Sequence, residues 1–228
     1  MNLRLVSKAR IAWERISVFI SRKLLKRPLV GDYNIETRQF YDEYAAKYPE
    51  AEINYAFDAM KTRKNFVEQY LTGATQLILD IGCGIGVYNA DVGVDISHVV
   101  LKKRGGNTAV AHTSFLPFRN GSFNTIIMTE VLEHMSEKLA KEAIKEARRV
   151  CAGQIIITTP GYSRRKPLLA PQSMWVWLRK YGVNETRYIH TAYKVDELRS
   201  MCEEAKFWTI ESGEITRGNS YYIGAARK

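Results

Sequence analysis

One stretch constrains this chain more than any other. Leu77-Ile78-Leu79-Asp80-Ile81 runs into Gly82-Cys83-Gly84-Ile85-Gly86. Residues 77–81 are apolar except for the acid, with no polar alternation. Such a run suits a short strand buried on both faces of a parallel sheet. The three glycines at alternate positions let the backbone turn sharply and approach a ligand closely. A second buried-looking strand, Val92-Gly93-Val94, ends in Asp95, fifteen residues after Asp80. A carboxylate at that strand tip can accept two hydrogen bonds from ribose hydroxyls. A dinucleotide fingerprint would want a third glycine at position 87, where this chain has Val87. An anionic Asp80 beside the loop would also repel a pyrophosphate.

Further motifs follow in order. Gly93-Val94-Asp95-Ile96-Ser97 is followed by Leu116-Pro117-Phe118, by Ser122-Phe123 and by Glu130-Val131-Leu132-Glu133-His134. Together with Asp80–Gly86 they resemble the class I S-adenosylmethionine-dependent methyltransferases. The resemblance is to the branch with quinone-type (type 11) and other small-molecule enzymes, and it covers roughly 40–226. It implies an α/β fold: a Rossmann-like, seven-stranded, mostly parallel sheet closed by a C-terminal antiparallel hairpin. It also implies a cofactor set of Asp80, Gly82, Cys83, Gly84, Gly86, Asp95, Ile96, His112, Thr113, Ser114, Thr129 and Tyr44. His112 stands where such enzymes usually carry an Asp that accepts from the adenine amino group. A neutral imidazole can still accept one hydrogen bond there, or the residue is a solvated loop His.

The spacing departs from the family in one place. Fifteen residues separate Asp80 from Asp95, against the usual 20 or so. The helix between these strands must shrink to a turn or so, within 87–91. The long N-terminal helix is one candidate to cover the exposed sheet face.

Charge is unevenly placed. The chain of 228 residues has a net charge of +10. Residues 1–30 hold Arg4, Lys8, Arg10, Arg15, Arg22, Lys23, Lys26 and Arg27 against Glu14 alone, a net of +7. Their apolar residues recur at helical spacing, which describes a basic amphipathic helix of a kind that binds anionic membrane surfaces. Packing on its own domain or on a partner is the alternative. No run there is long enough to span a bilayer. The domain plan is therefore a basic helix (1–30), a helical lead-in (31–73), and a catalytic domain (74–228) with a lid insertion at 161–190. In the lead-in, an aromatic stripe includes Tyr41 and Tyr44, which is either core or a cover for the cofactor. Three cysteines with no Cys-x-x-Cys pair read as reduced thiols, hence a cytoplasmic protein peripheral at most to the membrane.

Glu130, Glu133 and His134 stand at i, i+3 and i+4. On a helix that spacing would aim all three along one face at the carboxyl end of the strand. Two carboxylates and an imidazole are a plausible half-site for a divalent metal such as Mg, which His190 would complete. Alternatively the acids cap the helix and the His lines the pocket. His134, with Glu130, is the candidate to take a proton from a hydroxyl acceptor. Three functions compete. One is O- or C-methylation of a small, hydrophobic or lipid-like acceptor at a membrane surface. The second is RNA methylation, with Arg164, Arg165 and Lys166 beside the basic N-terminus as an electrostatic footprint. The third is a non-catalytic module that keeps the cofactor fold.

Overall fold

The computed structural model describes residues 35–47, 57–71, 77–160, 193–216 and 219–226. The basic segment 1–30 and the 161–190 insertion, with His190, lie outside them. Helices α1 (Ile35–Lys47) and α2 (Phe57–Gln69) lead in. Strands β1 (Ile78–Ile81) and β2 (Val92–Asp95) follow, then α3 (His98–Arg104) and β3 (Thr108–Val110). β4 (Phe123–Thr129) runs through a 3₁₀ turn (Leu132–His134) into α4 (Glu137–Val150) and β5 (Cys151–Pro160). Helix α5 (Val195–Glu204) precedes β6 (Phe207–Thr216) and β7 (Asn219–Ala226). Among the described residues, no helix is long and apolar enough to cross a membrane.

The seven strands form one sheet in the order β3-β2-β1-β4-β5-β7-β6. Neighbours from β3 to β5 pair in parallel, and β7 alone runs antiparallel, between β5 and β6. This is the sheet the resemblance implies. Strand order reverses at β1, which lies between β2 and β4. The carboxyl ends of β1, β2 and β4 therefore open a crevice where open α/β sheets bind ligands.

Alternation along β1 divides the core in two. Leu79 and Ile81 point into a layer shared with α4 and α5. Helix α4 earns its place there with Ala140, Ala143, Ile144 and Ala147, a buried stripe at helical spacing. Ile78 points the other way, toward Val67 of α2 and toward Tyr88. That second face is where the shortened crossover leaves room. After Gly86 the chain makes only bends before β2. Asp91 Oδ2 accepts from the Ile78 N–H (2.8 Å), and Arg104 Nη2 donates to the Ala90 carbonyl (3.1 Å). The buried Tyr88 fills the second core, its hydroxyl beside the Thr129 side chain. Helix α2 covers the rest of the face. Phe66 lies 4.5 Å from the Tyr221 ring, Tyr70 Oη donates to Glu211 (2.8 Å), and Gln154 Nε2 donates to the Tyr70 carbonyl (3.1 Å). Thus the space of a missing helix is taken by two side chains and by a helix from earlier in the chain.

Gly93 makes room for this arrangement. A Cβ there would sit 2.7 Å from Arg104 Nε and 2.8 Å from Cys83 Sγ. Gly93→Ala should destabilise the fold by about 1–3 kcal/mol, the usual scale of overpacking. A denaturant midpoint equal to that of the native chain would show that Arg104 moves aside freely.

Candidate active site

The glycine loop is set by backbone conformation. Gly82 and Gly84 have φ of 69° and 54°, in the left-handed region. The N–H groups of Gly82 and Cys83 both donate to the Val94 carbonyl, at 2.7 and 3.0 Å, which ties the loop to β2. A Cβ on Gly82 would run into Val131 Cγ2, whereas one on Gly84 would meet nothing within 4 Å. Gly84 therefore presents bare backbone to open space, a cradle that a ligand can approach.

Asp95 closes β2 beside this loop. Its Oδ2 accepts from the Gly84 N–H (3.1 Å) and its Oδ1 from the Ser97 N–H (2.9 Å). A carboxylate has about four acceptor positions, so two remain for a ligand. Burial pushes its pKa up, opposed by these backbone donors, and the charge of Asp42 pushes the same way as burial. Asp80 is buried beneath the loop and does not reach the cavity wall. Burial pushes its carboxyl up to about 7, with Arg104 opposing and Asp95 adding to the rise. The Cys83 thiol is pushed up to about 12 by burial and by both acids, so it stays protonated as a small packing group.

The end of β4 corrects the helical reading of Glu130, Glu133 and His134. Glu130 has a φ of 55°. That left-handed residue, followed by the 3₁₀ turn, breaks the helical phase and splits the three side chains. Glu130 and His134 face the cavity, and Glu133 turns into the protein. Glu130 Oε1 accepts from Thr158 Oγ1 (3.1 Å), and Oε2 faces Arg63 Nη1 of α2 at 3.3 Å. Burial raises the Glu130 pKa, with Arg63 and Thr158 opposing. Glu133 is 1% exposed, with Oε1 3.6 Å from His134 Nε2 and Oε2 buried without a hydrogen-bond partner. Burial and the charge of Glu130 hold its carboxyl well above the usual carboxylate range.

The Mg expectation is not supported. Among the described residues, no group of three or more His, Cys, Asp or Glu is placed to hold a metal ion. The reason is local: Arg63 supplies the cation at Glu130, and Glu133 points away from it.

A cavity of about 210 Å³ opens at this edge. It is lined by Gly82, Asp95, Ile96, Ala111, His112 and Thr113 together with Glu130, Val131, His134 and Met135. Thr37 and Tyr41 of α1 complete the lining, with the Tyr41 ring edge-on to His134 at 6.4 Å. His112 is not a solvated loop residue. It is buried, and burial lowers its pKa. Its Nδ1 accepts from the Ser114 N–H (3.2 Å), so the neutral ring carries its proton on Nε2. His112 is thus a donor at Nε2, not the acceptor that an Asp would be.

A family model described as a methyltransferase domain matches residues 41–212. The chain belongs to this methyltransferase family. Fold and family bear out the class I S-adenosylmethionine-dependent resemblance. The methyltransferase is 26% identical over 195 residues to a methyltransferase-named protein of Encephalitozoon cuniculi, covering 77% of this chain and 88% of that one. It is 36% identical over 106 residues to the human protein named "Probable tRNA methyltransferase 9B", 41% of this chain but only 23% of that protein. A Burkholderia thailandensis 1,6-didemethyltoxoflavin-N1-methyltransferase, solved with that compound and S-adenosylhomocysteine, superposes with a TM-score of 0.58. The alignment covers 82% of this chain and 90% of that one at 15% identity, a likeness of fold.

Several expected site residues stand elsewhere in the methyltransferase. Ser114 is buried with its Oγ 3.5 Å from the Leu139 carbonyl, and Thr129 lies beside Tyr88, outside the cavity lining. The Tyr44 side chain lies outside the described residues. Thr37, Met135 and Arg63 carried no motif. Arg63 is one basic residue on a polar helix, and nothing local distinguishes it.

Proposed function

We propose that this methyltransferase transfers a methyl group from S-adenosylmethionine to a hydroxyl of a small, largely apolar acceptor. One observation carries the reading: a single cavity brings Asp95 and Gly82 of the glycine loop together with His134. The residues fit the cofactor. Asp95 has acceptor capacity left for two ribose hydroxyls, Gly84 leaves space for backbone approach, and His112 offers a donor to a base edge. When bound, S-adenosylmethionine supplies an activated methyl group on a sulfonium. The chain then has two tasks, to orient the acceptor and to exclude water. Tyr41 and Met135 form the apolar wall for this. His134 takes the acceptor's hydroxyl proton as the oxygen is methylated, and Glu133 beside it holds the imidazole in place.

The test is methyl transfer from labelled cofactor into metabolite, lipid and RNA fractions. Label in the small-molecule or lipid fraction, with His134→Asn lowering turnover far more than cofactor affinity, is the expected result. Label in RNA alone would replace this reading by RNA methylation, which the tRNA methyltransferase-named relatives favour. No label anywhere, despite cofactor binding, would leave a binding module. Attachment to an anionic membrane through residues 1–30 belongs to the same proposal. It should weaken as salt rises, since charges are screened over roughly 10 Å at 0.1 M.

A further inference from the structure

Helix α1 contributes Thr37 and Tyr41 to the cavity lining. Among its described side chains only Thr37 and Ala45 are buried. A set of polar contacts centred on Asp42 ties it to α3. Asp42 Oδ1 accepts from Ser97 Oγ (2.8 Å) and from the Val99 N–H (3.2 Å) at the start of α3. Asp42 Oδ2 faces Arg38 at 3.7 Å. At the far end of α3, Lys103 Nζ donates to the Ala45 carbonyl (2.7 Å). Ser97 is shared: its hydroxyl serves Asp42, and its N–H serves Asp95.

We propose that Asp42 is a positioning residue for cofactor binding, latching α1 onto α3 and joining the wall formed by Thr37 and Tyr41 to the carboxylate of Asp95. This rests on the reading that the cavity takes S-adenosylmethionine. Asp42 does not line the cavity. Its effect passes through Ser97 on one side and through the seating of α1 on the other. Elements outside the central strands open locally at less than the global free energy, so removing a polar anchor of α1 changes how often it leaves. A wall that leaves more often lets the bound cofactor escape faster without hindering entry.

The experiment compares the full chain with Asp42→Ala and Asp42→Asn. Hydrogen exchange is measured without ligand, and S-adenosylhomocysteine association and dissociation are followed by stopped flow. In Asp42→Ala, amide exchange across 35–47 should rise about tenfold while the β1 and β4 amides keep their protection. Dissociation should quicken about fivefold or more, with association no slower. Asp42→Asn, which keeps one acceptor oxygen, should fall between. Unchanged exchange in α1, or a rise shared by the whole sheet, would overturn the latch. So would unchanged dissociation, or slower association. If the native chain binds no S-adenosylhomocysteine, the cofactor reading fails, and the exchange measurement still decides whether Asp42 holds α1.

Discussion

Asp95→Ala is expected to weaken S-adenosylmethionine binding by about 10²–10⁴-fold. Two charge-assisted hydrogen bonds to the ribose would be lost, at roughly 1.5–3 kcal/mol each, and about 1.4 kcal/mol is a factor of ten. The substitution also strips the Gly84 and Ser97 N–H groups of their acceptor, so the melting temperature should fall as well. Asp95→Asn separates the two effects. It keeps the size and one acceptor oxygen, for the Gly84 or the Ser97 N–H but not both, so part of the stability should return while affinity stays reduced. Titration calorimetry reads both variants directly. Native-like binding in Asp95→Ala would mean that the ribose lies elsewhere.

Asp80→Asn should do the opposite to stability. The Asp80 carboxyl rises from its ordinary 3.8 to about 7 because the folded chain buries it. A group whose folded pKa is raised contributes stability that is full below the unfolded value and is lost as pH climbs through the folded one. Between pH 4 and 7 this single residue therefore removes about 4 kcal/mol. Asparagine cannot ionise, so the variant should melt above the native chain at pH 8 and level with it at pH 4. Equal melting temperatures at both pH values would contradict the burial argument. The same carboxylate also makes cofactor binding pH-dependent. A cationic ligand over the loop draws the proton off Asp80, so affinity should rise from pH 6 to 8 in the native chain and rise less in the variant.

The sheet was legible because its signals are local. The apolar runs at 77–81 and 92–94 and the glycine loop each lie within a few residues, and β1 and β2 fall where those signals place them. The short crossover was equally plain from the fifteen residues between Asp80 and Asp95. What fills its place was not, because Tyr88, Arg104 and α2 reach it from different parts of the chain. The Glu130–His134 string misled for a related reason. Its i, i+3, i+4 spacing has meaning only on a helix, and a left-handed Glu130 with a 3₁₀ turn is not written in residue type. The place of His112 follows from the resemblance, but its hydrogen-bonding sense depends on the Ser114 N–H.

The position of β7 sets a timetable for synthesis. The last strand made is inserted between β5 and β6, so β6 has no place in the sheet until β7 has been translated. Helix α2 waits as well, since its platform includes Glu211 and Tyr221, at the far end of the chain. An early helix is thus among the last elements to be seated, and the Arg63–Glu130 pair forms with it. Until then a nascent chain carries β5 as an open edge next to an uncovered apolar face, the kind of surface that pairs with other chains. Ribosome-stalled chains ending before Asn219 should therefore engage holding chaperones, and chains extended past Ala226 should release them.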